Sequence, residues 1–429
     1  MPLENSSRSS RFFDKNPSLV IREFRNFLCL RFGVIFALNM QSTIIYYWVY
    51  HITNDKLSLG FVGLAEVIPA VCFSLFSGHI VDLHEKRKML LLCLLGYIAL
   101  GLGLASLTLP FASGLTIDSK LHCIYFLVFL GGIIRAFYGP TGFSMSGLVV
   151  PRELYTNATS WSSMAWQLGA VFGPLVAGFL IAWSGISAGM FAVLAIEVVL
   201  LLPLFAISIK PILKKEKEPV LRSLTEGVRF VWNTPVLLGA QCLDMFSVLF
   251  GGAVALLPVF QKEILMVDET GFGILRAAPG MGALCTMAIL AFLPLKTNPG
   301  KKLFICVTGF ALSIITFGLS TSFILSFLML LFSGMFDAVS VVIRGTILQL
   351  VTPDNMRGRV SAVNTIFISS SNELGDFESG VMAHWLGAVR AVVTGGCITL
   401  GVIGFTFFTA PQLRNFSFST KQKTKDNIS

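Results

Sequence analysis

The chain has 429 residues, of which 54% are hydrophobic and 13% charged, with a formal net charge of +9 and a mean hydropathy of +0.77. One soluble core cannot hold so much apolar surface, so the composition describes a polytopic membrane protein. Runs of roughly 20 apolar residues can cross a bilayer as helices, which satisfy their own backbone hydrogen bonds. The alternating pattern of a membrane β-barrel is absent.

In chain order the apolar runs fall near 24–50, 57–81, 89–109, 121–147, 157–183 and 186–209, and then near 236–260, 270–293, 302–319, 322–350, 359–385 and 388–409. That pattern predicts a polar tail over 1–23, a six-helix bundle over 24–209, a linker over 210–235, a second six-helix bundle over 236–409 and a tail over 410–429. The residues before Phe24 are polar and show no cleavable leader. The eight cysteines all lie within spans and lack ligand spacing, which suits small packing residues better than disulfides or metal ligands.

Charge fixes orientation. With both termini in the cytoplasm, most of the 32 Lys and Arg fall on that side. Only Lys56, Lys120, Lys262 and Arg390 lie on the other, while Arg31, Arg135, Arg276 and Arg344 lie within spans. The basic balance therefore reports topology and does not imply nucleic acid. The linker opens with a basic stretch from Lys210 and continues with Leu221, Leu224, Val228 and Val231 at helical spacing, which predicts an interfacial helix. The halves also echo each other: a shift of 202 lays Pro151 on Pro353 and Gly173 on Gly375, and a shift of 210 lays Gly63 on Gly273 and Pro69 on Pro279.

The hairpin Gly78 to Lys88 is a charged knot between two apolar runs. Its Gly78, Ile80, Asp82, Lys86, Arg87 and Leu90 match the loop motif Gly-x-Leu-Ala-Asp-Arg-x-Gly-Arg-Lys-x-x-Leu, with Leu83 and Glu85 as departures. The fourth span carries Arg135-Ala-Phe-Tyr-Gly139, and the fifth reads Gly169-Ala-Val-Phe-Gly173-Pro174-Leu-Val-Ala177-Gly178. In these motifs, and in Leu243-Asp244, Leu275-Arg276-Ala-Ala-Pro279 and Thr352 to Asn364, the chain resembles the major facilitator superfamily. The branch it resembles contains enterobactin exporters and macrolide efflux pumps.

The resemblance implies an all-α fold of twelve transmembrane helices in two pseudo-symmetric six-helix bundles. It implies that Gly78, Asp82, Lys86 and Arg87 form a cytoplasmic gate with Arg357 and Arg359, whose latch favours the outward-open state. It also implies that Gly169, Gly173, Pro174 and Gly178 are the element associated with export. An acidic side chain at one helix end can meet N–H groups or Arg at another helix start. Small residues four apart allow close helix packing, and a proline bends the helix.

Buried charge is expensive in a membrane unless it faces a wet cavity or a partner. Glu66 and Arg276 occupy equivalent repeat positions, each three residues before a proline, which predicts that they face one another across a cavity. A carboxylate so placed can load and release a proton. Arg135, Asp244, Asp337, Arg344, Glu373 and Asp376 complete the candidate coupling or substrate residues; Asp337 and Arg344, seven apart, share a helix face. Glu197 is expected to hold an internal hydrogen bond. Tyr46, Tyr47 and Trp48 either line an amphipathic pocket or form an interfacial belt. No phosphate loop, nucleophile elbow or metal cluster occurs, so the chain is read as neither an enzyme nor an ATP-driven pump, with no cofactor and no metal.

The reading that follows is a secondary transporter of the plasma membrane, the inner membrane if the source is bacterial, working as a monomer. It exports a siderophore-like or drug-like amphipathic molecule in exchange for protons. A lipid mover or an uptake symporter of the same fold is the alternative cargo assignment, and a non-transporting receptor is the alternative class.

Overall fold

The computed structural model describes residues 16–209, 220–292, 298–353 and 356–417. Among these residues there is helix and no strand. The long helices are α1 (Arg22–Thr53), α2 (Lys56–Leu83), α3 (Lys86–Ser106), α4 (Ile117–Val149), α5 (Tyr155–Val199), α6 (Val220–Trp232), α7 (Pro235–Phe250), α8 (Glu269–Phe292), α9 (Pro299–Leu319), α10 (Phe323–Val351), α11 (Arg357–Leu386) and α12 (Ala388–Thr409).

Local chemistry explains several of the boundaries. Glu85 caps α3 by accepting from the N–H groups of Arg87 and Lys88, and the Thr116 hydroxyl caps α4 through Ser119. Proline stands at the first position of α7 and α9, where its missing N–H is not needed. α5 holds two predicted spans as one helical run, broken at Gly185, whose φ of 81° lies in the left-handed region.

Ten helices among the described residues are long and apolar enough to cross a membrane; the run that includes α5 is one of them. α11 is 30 residues long but is not among the ten. Glu373, Asp376, Glu378 and His384 on it explain why composition alone passes it over. A helix follows the linker as α6, with Val231 buried and Val228 exposed; the side chains of Leu221 and Leu224 lie outside the described residues. Lys210 and the rest of the basic stretch lie outside the described residues.

Two units emerge from the packing: residues 1–45 with 68–216, and residues 46–67 with 217–429. In the first unit α3 packs on α4 and α5, and Phe24, Phe27, Leu30, Leu90, Tyr97 and Met145 form its core. α1 and α5 meet backbone to backbone: a methyl group on Gly173 would come within 2.8 Å of the Phe36 carbonyl oxygen, and one on Gly169 within 2.9 Å of the Phe36 nitrogen. Pro174 lies inside this helix and Gly178 is buried beside it.

Overpacking that crossing carries a defined penalty. Gly173→Val is expected to destabilise the protein by about 1–3 kcal/mol. A lowered melting temperature in detergent is the readout. Gly139→Ala, whose added carbon meets nothing within 4 Å, should leave melting unchanged or raise it.

In the second unit α10 packs on α8 and α9, α9 on α12, and α7 on α11 and α12. Leu243, Leu303, Phe304, Ile343, Ile347 and Val360 form the core. The 46–67 stretch belongs to this unit because the start of α2 lies against α11. A methyl group on Gly60 would stand 3.0 Å from the Phe377 carbonyl oxygen, and one on Gly63 the same distance from that of Glu373.

Candidate functional site

Arg276, inside α8, is the centre of the candidate site. Its guanidinium carbon stands 4.8 Å from the centroid of the Tyr46 ring. A flat, delocalised cation stacks well on an aromatic face, and lysine would not replace it there. Tyr46 is buried, and its phenol donates to the Asp376 carboxylate at 2.6 Å. Glu66 and Asp376 both act electrostatically on Arg276. The Arg276 guanidinium, the Tyr46 phenol and the Asp376 carboxylate thus gather in the second unit, with Glu66 on α2 within electrostatic range. Glu373, one turn before Asp376 on α11, is buried.

Further polar links run along the same end of α1. Tyr47 donates to Glu269 at 2.8 Å, at the start of α8. Tyr50 donates to Glu263, which also pairs with Lys56 at 3.1 Å. Glu263 stands in a single π turn, Phe260–Ile264, that follows α7; such turns re-aim side chains and recur at functional sites. Lys262 in the same turn donates to Asn54 at 2.6 Å.

Asp55 closes the series, 3.4 Å from the His384 ring. Partial burial raises the Asp55 pKa, but hydrogen bonds from the Ser58 hydroxyl, the Leu57 and Ser58 amides and His384 outweigh it and hold the carboxyl below its ordinary value. Tyr46, Tyr47 and Trp48 are therefore packed inside protein, and they are not an interfacial belt.

A second charged group lies on α7 and α10. Arg344 pairs directly with Asp244, and it lies 3.8 Å from Asp337 and 3.2 Å from the Ser340 hydroxyl. Asp244 and Arg344 have only 7% and 10% of their side-chain surface exposed, whereas Asp337 has 45%. Half-exposed acid in mid-helix needs access to water, and its partners bury the rest of the charge.

Arg135, Arg31 and Glu197 belong to the first unit. Arg135 is exposed on α4. Arg31, deep in α1, donates to the Ser162 carbonyl oxygen at 3.3 Å. Glu197 is buried, with Gly101 beside its carboxyl group, and neither of its carboxyl oxygens has a hydrogen-bond partner among the described residues, contrary to expectation.

At the Gly78 to Lys88 hairpin, Asp82 is exposed. Lys86 is buried and caps the end of α2 through the Val81 and His84 carbonyls, and Arg87 donates to the Phe205 carbonyl at 3.1 Å. Arg359 at the start of α11 pairs with Glu226 on α6. The side chain of Arg357, with Asp354 and Asn355, lies outside the described residues. All eight cysteines are free thiols, and no cluster of metal-ligating side chains occurs among the described residues.

Tyr50, Glu263 and Glu269 are the site residues that sequence reasoning passes over. The available signal is helical spacing, since Tyr46 and Tyr50 are four apart and share a face. Glu263 and Glu269 stand between the predicted spans 236–260 and 270–293, where they read as loop.

The sequence model described as Major Facilitator Superfamily matches residues 27–375. The chain is similar to the enterobactin exporter EntS of Escherichia coli O1:K1 / APEC, at 25% identity over 421 residues, covering 94% of this chain and 95% of that one. Among solved structures it is similar to a D-xylose-proton symporter, with a TM-score of 0.73, 14% identity and coverage of 92% of this chain and 99% of that one. It is also similar to a bacterial homologue of the human lysosomal transporter Spinster, with a TM-score of 0.69, 15% identity and coverage of 92% and 99%. The two structures share the fold alone with this chain. With most of its length matched by the family's own sequence model, the chain belongs to the major facilitator superfamily and is a multi-pass membrane transporter.

Proposed function

We propose that this transporter exports a siderophore-like or drug-like amphipathic molecule in exchange for protons, by alternating access. Similarity to an enterobactin exporter along nearly the whole chain supports the direction and the class of cargo. The excess of Lys and Arg on one side supports a topology with both termini in the cytoplasm, and the similarity supports the inner membrane of a bacterium.

The observation that carries proton coupling is Arg276 with Tyr46, Asp376 and Glu66 gathered around it. With both carboxylates ionised, the group holds one negative charge in excess. Proton loading on either one neutralises that excess, and an uncharged Asp376 is a weaker acceptor for the Tyr46 phenol. The end of α1 is then free to leave α11. Asp244, Arg344 and Asp337 hold a second charge balance on the path, while Arg135 and Glu373 adjust the surrounding potential. The cytoplasmic gate in this reading is assigned to Gly78, Asp82, Lys86 and Arg87 in one unit and to Arg357 and Arg359 in the other.

The test is transport by the full-length protein in everted vesicles under an imposed proton gradient, with enterobactin and a lipophilic dye cation as alternative cargoes. Accumulation that collapses with an uncoupler supports the reading. Accumulation that persists without the gradient, or none with either cargo, refutes it.

A further inference from the structure

Away from the charged site, the outer face of the second unit carries a slot of about 530 Å³ between α9, α10 and α12. Phe304 and Gly309 from α9, Phe336 from α10, and Gly404 and Phe407 from α12 form its walls. The Thr308 hydroxyl in its lining is turned onto the Phe304 carbonyl at 2.8 Å, so it offers the slot no unsatisfied donor. The side chains flanking it, Ile305, Leu312, Phe405 and Phe408, are exposed and apolar, which suits the hydrocarbon of a bilayer.

Along α9 the slot runs from Phe304 to Leu312. Eight helical rises of about 1.5 Å measure about 12 Å. That is less than half of a hydrocarbon core of about 30 Å, so one leaflet is deep enough to hold the slot.

One end of the slot is cationic. Phe304 and Phe407 meet edge to face with ring centroids 5.4 Å apart, and the Arg414 guanidinium carbon lies 4.8 Å from the Phe407 centroid. Exposed Lys301 is one turn before Phe304 on α9. The two cations are brought to the same end because the Gly300 N–H reaches the Phe416 carbonyl at 3.5 Å, which lays the segment after α12 along the start of α9. No Asp or Glu occurs in the sequence between Glu269 and Asp337, or between Glu378 and Asp426, so neither segment supplies its own counter-charge.

We infer that this slot is a binding site for an anionic phospholipid of the surrounding leaflet, with one acyl chain lying between Phe336 and Gly404 and the headgroup phosphate held by Lys301 and Arg414. Within a bilayer the acyl chain gains little by leaving its neighbours. Shape therefore retains the lipid, and the two cations select its charge. The site is separate from the Arg276 group and does not depend on the cargo proposed above.

The test is native mass spectrometry of the full chain released from vesicles of equal phosphatidylglycerol and phosphatidylcholine. The wild-type protein is expected to retain the anionic lipid over the zwitterionic one by about tenfold, given the attraction of each basic side chain near a membrane surface. Lys301→Gln with Arg414→Gln should bring that ratio close to one while the total of bound lipid holds. Gly404→Leu should reduce retention of both lipids, since a side chain there enters open space and fills the slot. An unchanged ratio in the double variant, or unchanged retention in Gly404→Leu, would overturn the assignment. Loss of a dimer signal in Gly404→Leu with lipid retention intact would instead give this face to a second copy of the chain.

Discussion

Glu66→Gln is expected to reduce gradient-driven export by at least about a hundredfold, the scale on which loss of one positioned proton-transfer group is felt. The amide is nearly isosteric and cannot be deprotonated, so packing of α2 is kept while the proton site is lost. Counterflow of cargo in the absence of a gradient should survive, because it requires the conformational change without net proton movement. Export at the wild-type rate would remove Glu66 from coupling and leave Asp376 as the carboxylate to examine. Arg276→Lys sharpens the assignment. It keeps the charge, but a lysine does not reproduce the stacking of a guanidinium 4.8 Å from the Tyr46 ring. Reduced transport with an unchanged melting temperature is expected.

The second large effect is on stability. Arg344→Leu strands Asp244, whose side chain is only 7% exposed, in the interior of the second unit. Removing one partner of a buried pair costs about 3–5 kcal/mol, because the other charge is left without compensation. A marked fall in melting temperature in detergent is expected. The double variant Asp244→Leu with Arg344→Leu should recover most of the loss, since apolar side chains of similar size often replace such a pair at little net cost. Additive destabilisation in the double variant would show that the pair is not what stabilises α7 against α10.

Sequence made parts of this architecture legible for definite physical reasons. Apolar runs bounded by charge mark the spans because a helix in lipid has no alternative way to satisfy its backbone. The amphipathic spacing from Leu221 to Val231 marks α6. Repeat register places Glu66 and Arg276 at matching positions, and the structure brings them into electrostatic range. Asp337 and Arg344 are legible as a pair because they share one helix face. Asp244 is not legible as their partner, because it comes from another helix a hundred residues earlier and no local spacing joins them. The tyrosines failed for a different reason: an aromatic cluster at the end of an apolar run has the same appearance whether it meets headgroups or carboxylates. Only the packing of 46–67 with the second unit separates the two cases.

The links from α1 to Asp376, Glu269 and Glu263 use neutral phenols as donors. An ion-pair clasp binds through long-range Coulomb attraction and weakens as salt is added. Phenol-to-carboxylate contacts act only at hydrogen-bond range, so their grip should vary little with ionic strength. When such a contact parts, the carboxylate recovers its full hydration and the phenol needs only one water in exchange. The exchange of hydrogen bonds itself thus weighs little beside the burial of Tyr46, Tyr47, Trp48 and Tyr50, which favours the engaged form.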